Sequence, residues 1–339
     1  MEAKISTFSG FKVGEIMSFK NILFNTWNGA FFHKGGGEVQ LLQSRIALEK
    51  RGLNIDFFDL WEPQLDFDLL HQFSVLPGVE HVVRKYKALG MKTALSTILW
   101  GPLPDREHAE YHRMRSIVDH SDILLTNSIA ESELLSEYFQ QDPSRFHKTR
   151  NSVGDRFFRQ STPDLFRKKF NISGDFVLSV GNIQERKNYK KLIHACNKLD
   201  LRLIIIGHSS ESHALNDLKD LNEGSIYLGA ISDEEILKSA YSACSIFALP
   251  SYCETPGIAA LEAASQGAKI LITQEGCTRE YFEDNATYVN PYEISSIIEG
   301  IEKAMNLPKN PELPNFTRSN YSWDITAREI IEGYERVFS

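Results

Sequence analysis

The chain is poor in cysteine, and its cysteines are not paired by spacing. Cys196, Cys244, Cys253 and Cys277 are scattered through 339 residues without a C-x-x-C pair. That excludes a disulfide framework and the usual zinc spacings, and it fits a reducing cytoplasm. No apolar run reaches the ~18 residues of a membrane-spanning helix. The opening stretch, MEAKISTFSGFKVGEIMSFK, lacks the hydrophobic centre of a secretory signal. Positive charge is also in deficit: the formal net charge is −8, which argues against nucleic acid as a partner. There is no tandem repeat and no low-complexity tract. What is present is a 42% hydrophobic chain, enough for the cores of two ordinary domains.

The most informative stretch is FALPSYCETPGIAALEAASQG, residues 247–267. It predicts a strand over 246–249, a break at Pro250-Ser251, a loop closing on Thr255-Pro256-Gly257, and an Ala-rich helix over 258–265. Glu254 lies in the loop and Glu262 inside the helix. Gly257 to Glu262 rises about 7–8 Å at ~1.5 Å per residue, so the two carboxylates can bracket an extended ligand. The free N–H groups of the helix start favour a phosphate between them. Carboxylates accept hydrogen bonds from hydroxyls. A phosphate between two hydroxyl-bearing groups describes a nucleotide sugar. Taken singly, each glutamate reads as an ordinary surface residue. The Pro-Gly, the small residues Ala259, Ala260, Ala263 and Ala264, and the strand feeding the loop favour a site.

The rest of the chain alternates strands with helices, the pattern of a parallel α/β protein. A strand over 21–26 runs into Trp27-Asn28-Gly29, then His33-Lys34-Gly35-Gly36-Gly37-Glu38, then a helix over 39–50. The glycines Gly35, Gly36 and Gly37 allow close approach to the backbone. Later, a strand over 175–181 opens into Asn182, Arg186 and Lys187 before a helix over 189–199. Cations at a strand's carboxyl end occupy the ligand edge of an open α/β sheet. Arg186 supplies a two-pronged phosphate clamp and Lys187 a point charge. Further strands are expected over 54–60, 65–71, 92–99, 122–128, 201–207, 226–229, 269–273 and 287–290. Further helices are expected over 79–89, 107–119, 129–139, 233–242, 293–305 and 325–337. Ser128 starts one helix, and Ser232 with Glu235 reads as a capping box. Residues 308–314 read as a proline-rich spacer.

Several residues carry two readings. Asp66 and Asp68 form a D-x-D pair, better read as the polar edge of a strand than as a metal site. His71 faces a cleft or is structural. Trp100 stacks on a sugar or is buried. Cys253 reads as a passive thiol. The stretch Arg84-Lys85-Tyr86-Lys87 reads as a solvated helix face before a lipid contact.

Residues 250–263 resemble the E-x7-E segment of retaining GT-B glycosyltransferases, especially glycosyltransferase family 4, usually P-S-x-x-E-G-F-G-x-x-x-x-E-A. Pro250, Ser251, Glu254, Gly257, Glu262 and Ala263 stand in register, with Thr255-Pro256 where Gly-Phe is usual. Val180-Gly181 through Arg186-Lys187-Asn188 resembles the family's V-G-x-x-x-x-R-K-N, with Asn182 where other members carry a second arginine. The loop from Gly276 to Glu280 resembles its G-x-x-E loop, with one residue more between the two. Gly35-Gly36-x-Glu38 followed by a helix and Arg51-Gly52, Ser121-Asp122 to Ser128, and Asn151 to Phe157 resemble segments of its first half. Ile98-Leu99-Trp100 stands where many members carry a histidine.

The resemblance implies an α/β GT-B fold, with two doubly wound Rossmann-like domains facing across a cleft. Residues 1–158 would form the acceptor side, 159–322 the nucleotide-sugar side, and 323–339 a helix crossing back to the first domain. The implied reaction is retaining sugar transfer from a nucleoside diphosphate sugar (UDP or GDP) to an acceptor hydroxyl, in surface polysaccharide or glycoconjugate synthesis. Glu254, Arg186 and Lys187 are the implied catalytic residues. Gly35, Gly36, Gly37, Asn182, Thr255, Pro256, Gly257, Ile258 and Glu262 are the implied substrate-binding ones. No metal and no cofactor beyond the donor are implied. The acceptor would be a saccharide or a lipid-linked saccharide. The location would be cytoplasmic, with peripheral contact at the inner membrane face left open. The rival readings are a GT-B epimerase or phosphorylase, and a nucleotide-sugar-binding protein without transfer activity.

Overall fold

The computed structural model describes residues 19–32, 35–209 and 214–339. The opening stretch read for a signal, apart from Phe19 and Lys20, and His33-Lys34 of the glycine-rich loop lie outside the described residues. Helices alternate with strands from the start: β1 (Asn21–Asn25), α1 (Gly36–Glu49), β2 (Asn54–Phe57), β3 (Leu69–Phe73), α2 (Glu80–Ala88), β4 (Lys92–Ser96), α3 (Ala109–Asp119), β5 (Ile123–Thr126), α4 (Ile129–Phe139) and β6 (Phe146–Lys148). The second half continues with α5 (Asp164–Phe170), β7 (Val177–Val180), α6 (Tyr189–Lys198), β8 (Leu203–Ile206), β9 (Ile226–Tyr227), α7 (Glu234–Ala243), β10 (Ile246–Leu249), α8 (Ile258–Ser265), β11 (Ile270–Thr273), α9 (Thr278–Phe282), β12 (Ala286–Val289), α10 (Ile294–Asn306), α11 (Leu313–Asn320) and α12 (Trp323–Phe338).

The strands form two six-stranded sheets, in the orders β2-β1-β3-β4-β5-β6 and β12-β11-β10-β7-β8-β9, and every pairing is parallel. Both are doubly wound. The chain reverses direction across the sheet between β1 and β3 in the first, and between β7 and β10 in the second. Such switch points open a crevice at the carboxyl ends of the two strands. Apolar side chains on both faces explain the near-continuous hydrophobic runs, such as Leu203–Ile206, where all four residues are buried.

The last helix returns to the first sheet. Trp323, Ala327, Ile330, Ile331 and Tyr334 share a core with Ile22, Phe24, Leu69 and Leu125. Gly333 lets the helix sit close, because a Cβ there would lie 2.8 Å from Leu125 Cδ2. His71 proves structural: it is buried, with Nδ1 2.6 Å from Tyr334 Oη and Nε2 2.8 Å from Ser96 Oγ. Burial pushes its imidazole pKa down to about 3.

The structure corrects several local expectations. Asp233, not Ser232, caps α7, its carboxylate accepting from the N–H groups of Glu235 and Ile236. The proline-rich spacer runs into a helix, α11, that begins at Leu313 with Pro314 in its first turn, where a missing N–H costs nothing. The strand expected over 65–71 begins only at Leu69. Asp68 instead turns its carboxylate to the N–H groups of Lys20 and Asn21, at 2.7 and 2.8 Å. In the basic stretch, Tyr86 is buried, donating its hydroxyl to Gln64 O, and Lys87 pairs with Asp122.

Candidate active site

The site is built at the β7/β10 switch point. After β7 the chain makes a single 3-10 turn, Glu185–Lys187, which lifts Arg186 and Lys187 at the sheet edge. After β10 it makes the loop that carries Glu254. Lys187 Nζ lies 2.6 Å from Glu254 Oε1, and Arg186 Nη1 lies 3.6 Å from the same oxygen. Arg186 also donates to the Cys253 carbonyl at 3.0 Å. Glu254 is buried, 5% exposed, whereas the Arg186 side chain is 43% exposed. The Lys187 side chain, at 12%, stands between them.

Electrostatics follow from that layering. Burial pushes the Glu254 carboxyl pKa up, but the charges of Lys187 and Arg186 outweigh it and hold the group below its ordinary value. Lys187 is lowered, mainly by burial, with Glu254 opposing. One carboxylate against two cations leaves a net positive charge facing the solvent side, carried by Arg186.

The loop is locked to its neighbours. Gly276, at φ +96°, presses against the Glu254 backbone, where any Cβ would collide with the Glu254 carbonyl oxygen. The N–H of Cys277 donates to that oxygen at 3.1 Å. A cis Thr255-Pro256 bond then leads to Gly257, the first residue before α8, at φ +87°. A Cβ on Gly257 would lie 2.9 Å from Leu249 Cδ2 and 3.3 Å from Glu254 Oε2. No side chain caps α8, so the first-turn N–H groups remain oriented for an anion.

The first half meets this edge through its glycine-rich turn. Gly35 precedes α1, and Glu38 Oε2 accepts its N–H at 2.7 Å. A Cβ on Gly35 would lie 3.6 Å from Asn182 Nδ2, one on Gly36 3.8 Å from Ile258 Cδ1, and one on Gly37 3.8 Å from Ile98. The structure thus brings Gly35 against Asn182 and Gly36 against Ile258, with Gly37 against Ile98. It groups Arg186, Lys187, Glu254, Thr255, Pro256 and Gly257 beside them. Glu262 stands one turn into α8 and turns to α7, where Tyr241 Oη donates to it at 2.8 Å. Burial pushes its carboxyl pKa up to about 7, with the tyrosine hydrogen bond opposing.

Two residues with organising roles were not singled out in the sequence. Glu131 is fully buried. Its Oε1 accepts from Thr97 Oγ1 at 2.6 Å and Leu99 N at 3.1 Å, and its Oε2 from Asn127 N at 2.7 Å. It thereby holds the segment after β4, in which Ile98 sits at φ +46° against Gly37 and the Trp100 carbonyl accepts the Cys253 thiol at 3.6 Å. Burial pushes Glu131 up to about pKa 7. The S-x-x-E spacing from Ser128 was its available signal. Glu280, read only as part of a loop, spans the two halves: it accepts from Ile129 N at 2.9 Å and pairs with Lys148 at 3.2 Å. His108 is structural, its Nδ1 accepting the Glu110 N–H at the start of α3.

Comparison with known proteins bears on the fold and on the second half of the chain. Residues 162–320 match the family described as Glycosyl transferases group 1. The serotype-specific mannosyltransferase WbdA of Escherichia coli is 24% identical over 239 residues, covering 65% of this chain and 29% of that protein. The chain spans between 28% and 56% of the length of curated relatives of this kind. Among solved structures, the sucrose-phosphate synthase of Thermosynechococcus elongatus superposes with a TM-score of 0.77 at 16% identity, over 94% of this chain and 99% of that one. Anabaena Alr3699/HepE in complex with UDP superposes at 0.73 and 14% identity, over 94% and 100%. The described residues therefore have the GT-B fold, and the second half, which carries Arg186, Lys187, Glu254 and Glu262, matches the glycosyl transferases group 1 family over residues 162–320.

Proposed function

We propose that this protein transfers a sugar from a nucleoside diphosphate sugar, with UDP or GDP as the nucleotide, to an acceptor hydroxyl with retention at the anomeric carbon. The observation that carries the reading is the buried Glu254 held by Lys187 and Arg186, beside the uncapped start of α8 and opposite Gly35–Gly37. In this reading Arg186, Lys187 and the α8 N–H groups take the diphosphate. Their positive potential serves the charge that grows on the leaving group, so the reaction needs no metal ion and no further cofactor. Glu254, kept ionised by its cations, accepts hydrogen bonds from sugar hydroxyls. Glu262 holds the ribose. Gly257 and Ile258 offer backbone N–H groups, and Asn182, Thr255 and Pro256 shape the wall.

The acceptor oxygen forms its bond to the anomeric carbon on the face from which the phosphate leaves. The bond to the phosphate oxygen breaks, and the acceptor proton passes to that departing oxygen. A polysaccharide or glycoconjugate product is supported by the relative named as a serotype-specific mannosyltransferase, and a uridine donor by the neighbour solved with UDP. Incubation with UDP- and GDP-sugars tests the reading: release of the nucleoside diphosphate, abolished in Arg186→Ala, is expected.

One observation favours a second reading, binding without transfer. Ile98, in place of a polar residue, faces the glycine turn. Saturable nucleotide-sugar binding with neither transfer nor hydrolysis of the donor would decide for it.

A further inference from the structure

Beside the glycine-rich turn lies a cavity of about 390 Å³, lined by none of the residues assigned to the donor above. It opens at the carboxyl ends of β1 and β2, the ligand edge of the first sheet. Phe24, Trp27, Phe32, Phe57, Phe58 and Leu60 form its apolar walls. Its volume is that of a small-molecule site. Apolar side chains here remain open to solvent: Phe32 is 86% and Leu60 53% exposed. The cavity is wired to the candidate active site. Trp27 Nε1 donates to Glu38 Oε1 at 3.3 Å, and the other oxygen of Glu38 holds the Gly35 N–H. The cavity wall is therefore joined, through Glu38, to the turn that faces Asn182 and Ile258.

Charge around the cavity selects among apolar occupants. Asp56, Asp59 and Glu62 flank the wall residues in the sequence and are exposed, and no lysine or arginine occurs from Leu53 to Val83. The nearby Arg45 lies over the Phe57 ring at 4.8 Å and is paired with Glu49 at 2.8 Å. Among the described residues the rim is acidic and its nearby arginine is paired, which disfavours a phosphate or an anionic bilayer surface there.

We infer that the acceptor is a neutral alcohol with an apolar body, aromatic or prenyl, which packs in this cavity and presents its hydroxyl past Gly35–Gly37. This rests on the glycosyl-transfer reading and narrows it: the product is a glycoconjugate with an uncharged apolar aglycone, not a sugar chain on a phosphate-linked carrier.

Calorimetric titration of the full chain tests this without any donor, using 2-naphthol, geraniol, geranyl diphosphate, and sedimentation with phosphatidylglycerol vesicles. Saturable binding of 2-naphthol identifies an aromatic body, and of geraniol a prenyl one; either supports the site. Phe32→Asp changes an exposed position, so the thermal midpoint should hold while affinity for the bound alcohol falls about tenfold or more, because a carboxylate then faces an apolar ligand. Tighter binding of geranyl diphosphate than of geraniol that persists in Arg186→Ala and is not competed by UDP or GDP, binding to the vesicles alone, or no saturable binding overturns the inference. UDP and GDP titrated into the same preparation keep the two readings apart: loss of nucleotide binding with alcohol binding intact sinks the donor reading and leaves the cavity assignment standing.

Discussion

At the scale of single residues, Lys187 and Arg186 differ in what they do for the protein although they adjoin in sequence. Lys187 is the close partner of a buried carboxylate, so Lys187→Ala leaves Glu254 buried without its main counter-charge. About 3–5 kcal/mol of stability should be lost, read from urea unfolding. Arg186 is 43% exposed with a longer contact to Glu254. Arg186→Ala should cost less than about 1 kcal/mol while kcat/KM falls on the order of 100-fold. Equal stability losses for the two variants would contradict this division. The sequence showed both cations and Glu254 at the right edge. It could not show the ion pairing, because only the fold brings residues 187 and 254 together. Glu262 supplies a pH signature. Its pKa, raised by burial to about 7, means that its carboxylate is fully ionised only above neutrality. If it accepts from ribose hydroxyls, donor affinity should rise between about pH 6 and pH 8, and Glu262→Gln should flatten that rise in a fluorescence titration. An unchanged pH profile in the variant removes Glu262 from the donor site.

At the scale of elements, the strand–loop–helix unit around α8 was the most legible part of the chain. Its apolar run, Pro-Gly junction and Ala-rich segment agree locally with what the structure builds. The junction also explains why Gly257 cannot be replaced cheaply: its φ is +87° and a Cβ would touch Leu249 at 2.9 Å. Gly257→Ala should cost roughly 1–2 kcal/mol or more, seen as a lower thermal midpoint, and should weaken nucleotide binding by tilting the α8 N-terminus. Wild-type stability in that variant would contradict the packing described. Less legible elements were those whose identity depends on tertiary contact. Helix α11 hides behind three prolines, two of which fall outside it. Strand β6 has only three residues, and its period cannot announce it. The cap of α7 went to Asp233 because Ser232 and Asp233 are both good cap residues and only backbone geometry chooses between them.

At the scale of the whole molecule, two parallel sheets carry complementary parts: glycines on one edge, cations and carboxylates on the other. Glu280, reaching Ile129 and Lys148, and α12, packed on the first sheet, tie the halves. Buried titratable groups make the stability of this assembly depend on pH. His71 stays neutral in the fold down to about pH 3, whereas the unfolded chain protonates at its ordinary value of 6.5. Its contribution is therefore lost as pH falls from about 6.5 to about 3. Glu131 runs the opposite way: raised to about 7 from 4.5, it favours the fold most below pH 4.5, and that contribution is lost as pH rises through 7. Glu131→Gln should shrink the stability difference between about pH 5 and pH 8 by roughly 1–3 kcal/mol, measured from urea midpoints. The spacing from Ser128 marked Glu131 as a cap partner, but the burial that shifts His71 and Glu131 depends on tertiary contacts that the sequence does not display. The central claim, that the cationic edge of the second sheet grips a nucleoside diphosphate, is tested most directly by calorimetric titration of wild type and Arg186→Ala with UDP and GDP. Saturable binding of at least one nucleotide, weakened about tenfold or more in the variant, is expected; no binding of either, or equal binding to both proteins, would contradict it.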